Sequence, residues 1–112
     1  MVIALETLTL ICPIETGMQR EAIAALRRAL ARRVGGWSEY NGRGVWYDDS
    51  GARFEETHVR FEVWTQNALQ TEQVLTAHNE YGAFAGEQSL ARVVNGRASL
   101  VPAPPTWPPV KG

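Results

Sequence analysis

Four ionisable side chains alternate along one stretch of the sequence and are its best candidates for chemistry. Residues 53–65 carry them at every second position, followed by a tryptophan: Glu56, His58, Arg60, Glu62 and Trp64. Side chains two apart on a β-strand share a face and lie about 6.5–7 Å from each other. The spacing therefore predicts a polar row on one face of a strand, whose opposite face, with Val59, Phe61 and Val63, is buried.

This row suggests three roles. His58 could act as a general base, because Glu56 or Glu62 is placed to orient its ring. Arg60 could pair with a carboxylate or phosphate through two parallel hydrogen bonds, which would make the face a site for a small anionic ligand. The third role is structural: a solvated face with cross-strand ion pairs, or one buried in a homodimer.

The large aromatic side chains add to the binding interpretation. Trp46 and Trp64 both fall on predicted strands, in a chain whose small sheet needs few such rings for a one-sided core. They are expected to cover an interface or to stack on a planar ligand. Arg33, near the end of the first predicted helix, is expected to reach a groove at the helix–sheet edge. The predicted ligand-binding set is Arg60, His58, Trp46, Trp64 and Arg33.

Composition and motifs exclude several classes of function. The net charge of -1 argues against nucleic acid and anionic membranes as partners. The sequence has no phosphate loop or nucleophile elbow, and its two histidines lie on different predicted elements, so neither a metal nor a cofactor is expected. Cys12 is the single cysteine, and a reducing cytoplasm is the expected compartment. The apolar N-terminus lacks the basic region and cleavage site of a signal peptide.

The elements that would position these side chains follow from periodicity and turn residues. Asn41-Gly42-Arg43-Gly44 is a turn-like interruption, so residues 37–48 form either a small hairpin or one bent strand. Asn95-Gly96 is the strongest hairpin signal in the chain. The other predicted elements are a strand at 2–12, a helix at 18–34 with Thr16 as N-cap, a hairpin at 44–65, a helix at 67–81, a loop at 82–86, and strands at 89–94 and 97–101.

This order predicts a split β-α-β-β-α-β, ferredoxin-like α+β fold with an extra C-terminal hairpin arm. Both helices would cover one face of an antiparallel sheet and leave the other face open. The domain is predicted to span residues 1–101, followed by a proline-rich tail at 102–112. Trp107 in that tail is expected to pack back on the body or to dock into a partner.

The pattern Gly-x-Trp-x-Asp-x-x-Gly occurs at residues 44–51, after Gly35-Gly36 and before the acidic and aromatic strand. With a later Gly-x-x-x-Gly-Glu-Gln-Ser stretch at 82–89, it resembles small, uncharacterised bacterial and phage proteins. The resemblance covers residues 5–95 and implies a ferredoxin-like fold without implying an activity.

These observations favour a non-catalytic binding or accessory protein of phage type, which is expected to form a homodimer. Its contact surface would be the open sheet face or the dimer interface, which would hold a partner protein or a small anionic, nucleotide-like ligand. The alternative is a dimeric ferredoxin-like enzyme that acts on a small carbonyl compound with His58 as the base. Nucleic-acid binding by stacked aromatic side chains is a third possibility, against which the charge argues.

Overall fold

The computed structural model of the chain describes residues 2–105. Its elements are β1 (Glu6–Pro13), α1 (Gly17–Arg33), β2 (Ser38–Tyr47), β3 (Arg53–Thr65), α2 (Ala68–Ala85), β4 (Ser89–Val94) and β5 (Arg97–Pro102). The strands form one sheet in the order β2-β3-β1-β4-β5, and every neighbouring pair is antiparallel. This confirms the predicted ferredoxin-like α+β fold, with β5 added beside β4.

The core lies between one face of the sheet and the two helices. Alternate residues of the two central strands are buried there, among them Leu8 and Leu10 of β1 and Phe61 of β3. They pack against Ile23 of α1 and Val74 of α2. Each such side chain contributes about 1.5–3 kcal/mol by leaving water. Among residues 2–105 no helix covers the opposite face, which we call the open face.

Both helices begin with a side-chain cap that satisfies their first backbone N–H groups. The Thr16 hydroxyl accepts a hydrogen bond from the Gln19 backbone N–H at 3.0 Å, as the predicted N-cap requires. The Gln19 side chain accepts in return from the Thr16 N–H at 2.9 Å, which completes a capping box. Asn67 caps α2 in the same way, accepting from the Gln70 N–H at 2.9 Å.

Residues 38–47 form one continuous strand, so of the two alternatives for this region the hairpin is wrong. Gly42 pairs with His58 and Gly44 with Glu56, and all four residues belong to the open face. A Cβ atom at Gly42 would lie 2.5 Å from His58 Nε2, and one at Gly44 would lie 3.4 Å from Glu56 Cγ. These glycines therefore make room for neighbouring side chains instead of making a turn.

The second helix is longer than predicted, because residues 82–85 are helical. Gly82 lies inside α2, where a Cβ atom would be 2.8 Å from both terminal methyl carbons of Leu90. The residue is glycine because β4 packs against it there, and the helix ends at Gly86, which has a φ of 75°. The sequence prediction took Gly82 for the end of the helix, but its role is to allow close packing against Leu90.

The two hairpins are confirmed, and the strand bounds shift at both ends of the chain. The β4–β5 turn uses Asn95 and Gly96, both with positive φ, as an Asn-Gly hairpin requires. β1 begins at Glu6, and β5 extends through Pro102, which an edge strand tolerates. Within residues 2–105 no helix is long and apolar enough to cross a membrane. Trp107, for which docking was predicted, lies outside the described residues.

Candidate functional site

The predicted polar row is in place on β3. Its members alternate with the buried Val59, Phe61 and Val63 and lie on the open face. Glu56, His58 and Glu62 are half-buried, whereas Arg60 and Trp64 are exposed. The members of the row have different neighbours along the strand and do not converge on a single point.

The side chain of His58 extends over the neighbouring strand β2, and within residues 2–105 it makes no hydrogen bond to a carboxylate. Its ring covers Gly42, and its Nδ1 atom has no hydrogen-bond partner. Burial, with a smaller contribution from the charge of Arg60, lowers the pKa of His58 below 6.5. The neutral ring is therefore favoured, but neither Glu56 nor Glu62 orients it as the general-base hypothesis expects.

The other predicted ligand-binding residues are distributed over the surface. The Arg60 guanidinium lies 5.1 Å from the centre of the Tyr40 ring, a cation–π geometry on the open face. Trp64 and Glu62 line a hollow of about 200 Å³ at the sheet edge, beside Trp37. Arg33 lines a groove of about 260 Å³ between α1 and α2, on the opposite side of the sheet from Arg60.

A cleft of about 650 Å³ lies where β1 ends. Ile11 and Pro13 of β1 form its floor. Trp46 of β2 and Glu56 of β3 line one side, because the β2–β3 hairpin continues beyond the end of β1. The opposite side is formed by the start of β4 with its preceding residues, and by β5: Gly86, Glu87, Gln88, Ser89, Ala91 and Leu100.

Trp46 gives this cleft a planar apolar surface. Its ring stacks with that of Phe54, with centres 5.6 Å apart and planes inclined by 16°. Trp46 nevertheless remains 47% exposed. An exposed indole held by a neighbouring ring is a preformed platform for another planar group.

Carboxylates face each other across the cleft. Burial raises the pKa of Glu56, and the negative charges of Glu87 and Glu15 raise it further. Within the described residues neither Glu56 nor Glu87 forms a salt bridge. The cleft therefore concentrates negative charge without a protein cation to balance it, which favours a positively charged ligand.

Glu87 is held from the start of α1. Gln19 Nε2 donates to Glu87 Oε1 at 2.8 Å, and the Glu87 backbone N–H donates to the Gly82 carbonyl at 2.9 Å. Sequence analysis missed both Glu87 and Gln19 as site residues, since they lie 68 positions apart and neither belongs to a periodic pattern. The sequence signals were Gln19 at the third position after a threonine cap, and the place of Glu87 in the Gly-x-x-x-Gly-Glu-Gln-Ser stretch at 82–89.

The floor of the cleft is fixed from below by α2. The Tyr81 hydroxyl donates to the Pro13 carbonyl at 2.7 Å. Burial raises the pKa of Tyr81 well above 10, and the nearby negative charge of Glu87 adds to this. Tyr81 therefore stays a neutral hydroxyl. Burial likewise raises the pKa of the Cys12 thiol, which makes it a poor nucleophile.

The cleft is not arranged as a metal site. Among residues 2–105 no three His, Cys, Asp or Glu side chains come close enough to hold a metal ion. What the arrangement offers instead is an aromatic platform beside two carboxylates. A ligand that combines a planar ring with a positive charge fits these two features together.

The fold and site define a single-sheet, ferredoxin-like α+β protein with a cleft beside its central strand. No protein-family model and no curated protein matches the sequence. The structure is similar to that of a phage SAM lyase in complex with S-methyl-5'-thioadenosine, with a TM-score of 0.63 and 14% sequence identity over 88% of this chain and 90% of that one. The apo state of a phage SAM lyase gives a TM-score of 0.60 and 15% identity over 88% and 89%.

At these identities the comparison establishes a shared fold. It also contradicts the prediction of a non-catalytic binding protein, since the solved structures of similar fold are those of an enzyme. The alternative of an enzyme for small carbonyl compounds with His58 as base is likewise not supported, because within residues 2–105 His58 Nδ1 has no hydrogen-bond partner and no carboxylate orients the ring. Sequence reasoning weighted the exposed row on β3 and overlooked the cleft formed where β1 stops.

Proposed function

We propose that this chain is a lyase that cleaves S-adenosylmethionine and releases S-methyl-5'-thioadenosine. The observation that carries the proposal is the cleft in which the half-exposed Trp46 lies beside Glu56 and Glu87. S-adenosylmethionine has a planar adenine at one end and two positive groups, a sulfonium and an α-ammonium, towards the other. Similarity to the fold of a phage SAM lyase supports the same substrate.

Each part of the cleft has a role in this proposal. Trp46 stacks on the adenine, an interaction worth about 1–3 kcal/mol per base in other proteins. Glu56 and Glu87 attract the positive groups, and unit charges 4 Å apart near a protein surface interact by about 4 kcal/mol. The volume of about 650 Å³ lies within the usual range for small-molecule sites.

The reaction breaks the bond between sulfur and the γ-carbon of the methionine side chain. The bonding electron pair goes to sulfur, which becomes the neutral thioether of S-methyl-5'-thioadenosine. In one route an oxygen of the substrate's own carboxylate attacks the γ-carbon as the carbon–sulfur bond breaks, which gives homoserine lactone without any proton transfer. Alternatively a base removes a β-proton, which gives vinylglycine. Both routes balance, and both yield the same sulfur product.

The sulfonium charge disappears along either route. A carboxylate that pairs with the sulfonium therefore stabilises the bound substrate more than the transition state. We accordingly assign Glu56 and Glu87 to binding and orienting the substrate. Their loss is expected to raise KM more than it lowers kcat.

The direct test is to incubate the purified protein with S-adenosylmethionine and to quantify products by liquid chromatography and mass spectrometry. Reactions without protein and with heat-inactivated protein correct for spontaneous breakdown. We expect S-methyl-5'-thioadenosine in equal amount to a four-carbon product, whose identity as lactone or vinylglycine separates the two routes. The proposal would be refuted if no product formed above these controls and neither S-adenosylmethionine nor S-methyl-5'-thioadenosine raised the melting temperature of the protein.

The chain offers matched controls for the cleft. Trp46→Ala should raise KM about tenfold, whereas Trp64→Ala, which removes another exposed indole from the same sheet face, should leave it within about twofold. Glu56→Gln should likewise raise KM, in contrast to Glu62→Gln at another half-buried carboxylate of the same strand. Equal effects within either pair would show that the cleft is not the site.

A further inference from the structure

Gln19 links the start of α1 to the cleft through both ends of its side-chain amide. Its Oε1 atom accepts hydrogen bonds from the backbone N–H groups of Thr16 at 2.9 Å and Glu15 at 2.6 Å. Since the oxygen is occupied by these donors, the NH₂ group must point the other way. There Nε2 donates to Glu87 Oε1 at 2.8 Å.

We propose that Gln19 is a positioning residue, which holds the Glu87 carboxylate ready for the positively charged end of the substrate. This inference rests on the proposed function. A glutamate side chain at the edge of an open cleft has several rotamers, and binding would have to immobilise it. The hydrogen bond from Gln19 fixes the carboxylate beforehand, so less conformational entropy is lost when the substrate arrives.

The contact is built so that the carboxylate can still act on a ligand. Gln19 donates to Oε1 of Glu87, and Glu87 also lines the cleft. Gln19 itself is half-buried and is absent from the cleft lining. It therefore acts through Glu87 rather than on the substrate.

The variant Gln19→Met tests this role, because methionine has a similar shape and helix propensity but cannot donate a hydrogen bond. A hydrogen bond to a charged group that is lost in this way changes an equilibrium by roughly tenfold. We expect KM for S-adenosylmethionine to rise roughly tenfold and kcat to change less than about threefold. A purely structural defect would lower the active fraction, and hence kcat, without this KM effect.

The other helix provides a matched control. Gln70 occupies the same position after its cap: its Oε1 accepts from the Gln66 N–H at 2.8 Å, but its Nε2 faces the Arg33 carbonyl at 3.4 Å, away from the cleft. Gln70→Met thus removes a comparable cap contact without touching Glu87. We expect it to lower thermal stability as Gln19→Met does, and to leave KM unchanged.

A double-mutant cycle closes the test. In the Glu87→Ala background, Gln19→Met should change KM by less than about twofold, because its effect is transmitted through Glu87. A wild-type KM for Gln19→Met in an active enzyme, or an additive effect in the cycle, would overturn the inference. So would an equal rise in KM for Gln70→Met.

Failure of the proposed function is recognised separately, as absence of cleavage by the wild-type protein. That result would remove the substrate from the inference as well. The hydrogen bond between Gln19 and Glu87 would then be tested by urea unfolding of the four proteins of the cycle: the wild type, Gln19→Met, Glu87→Ala and the double variant. Coupling of roughly threefold to tenfold in the unfolding equilibrium constant supports the hydrogen bond, and an additive cycle overturns it.

Discussion

His78 should make the stability of this protein sensitive to mild acid. The side chain is fully buried in α2, and its Nε2 atom lies 3.2 Å from the Ile11 carbonyl, to which it donates. Its Nδ1 atom has no hydrogen-bond partner. Burial, aided by the positive charge of Arg92, lowers the pKa of His78 from 6.5 to about 3. The folded protein therefore holds a neutral imidazole.

The sign of the pH effect follows from this depressed pKa. Between pH 6.5 and about 3 the unfolded chain binds a proton at His78, whereas the folded chain does not. Stability present above pH 6.5 is therefore lost as the pH falls through this window. At about 1.4 kcal/mol per pH unit, roughly 2 kcal/mol is lost between pH 6.5 and 5. That is a large part of a typical stability of about 5–15 kcal/mol.

The measurement is urea unfolding of the wild-type protein and the His78→Gln variant at pH 7, 6 and 5. Glutamine can still donate to the Ile11 carbonyl but does not titrate in this range. We expect the wild-type protein to be the more stable at pH 7 and the difference to shrink by about 2 kcal/mol at pH 5. His58→Gln is the control, since His58 is only half-buried and should show a smaller change. A difference that stays constant with pH would refute the reasoning.

Three further predictions concern the sheet and its cleft. Gly82→Ala gains about 1 kcal/mol of helix propensity, but it places a Cβ atom 2.8 Å from Leu90, at a cost of about 1–3 kcal/mol. Urea unfolding should therefore show unchanged or lower stability, and a clear gain in stability would contradict the packing. Gly42→Ala should displace the His58 ring and move its pKa, followed by NMR, back towards 6.5; an unaltered titration would contradict the contact. KM for S-adenosylmethionine should rise as the pH falls towards the raised pKa of Glu56, and Glu56→Gln should lose that dependence; the same pH profile in both proteins would assign it elsewhere.

The fold was largely predictable because its signals are local and periodic. Residues 58–65 alternate between unburied and buried side chains, so β3 and its buried parity followed from the side-chain period of a strand. The Thr16 cap and the Asn95-Gly96 turn depend only on residues that are close in the sequence, and both were identified correctly. The glycines were harder, since Gly42 and Gly82 are needed by His58 and Leu90, which lie on other elements. A turn and a close approach select the same residue type.

The cleft was not predictable from the sequence, because its parts come from all five strands and the segment before β4. Trp46 and Glu56 were singled out, but as members of a row along β3 rather than as one side of a cavity. Glu87 follows a helix cap in a short connection, where an isolated glutamate carries no periodic signal. Its relation to Gln19 depends on the distance between two chain segments that only the folded sheet brings together.

The position of the cleft follows from the way in which β1 ends. Pro13 has no N–H group and is the last residue of β1, whereas β3 continues its pairing with β2 for five residues beyond the last β1 partner, His58. A notch in the sheet is thus left between this hairpin and the start of β4, and each side supplies one carboxylate. Burial raises the pKa of Glu56 and the negative charge of Glu87 raises it further, so bringing the two carboxylates together is unfavourable for folding. A cation bound in the notch would reduce that repulsion, and we therefore expect a positively charged ligand to stabilise the folded protein more than a neutral ligand with the same ring.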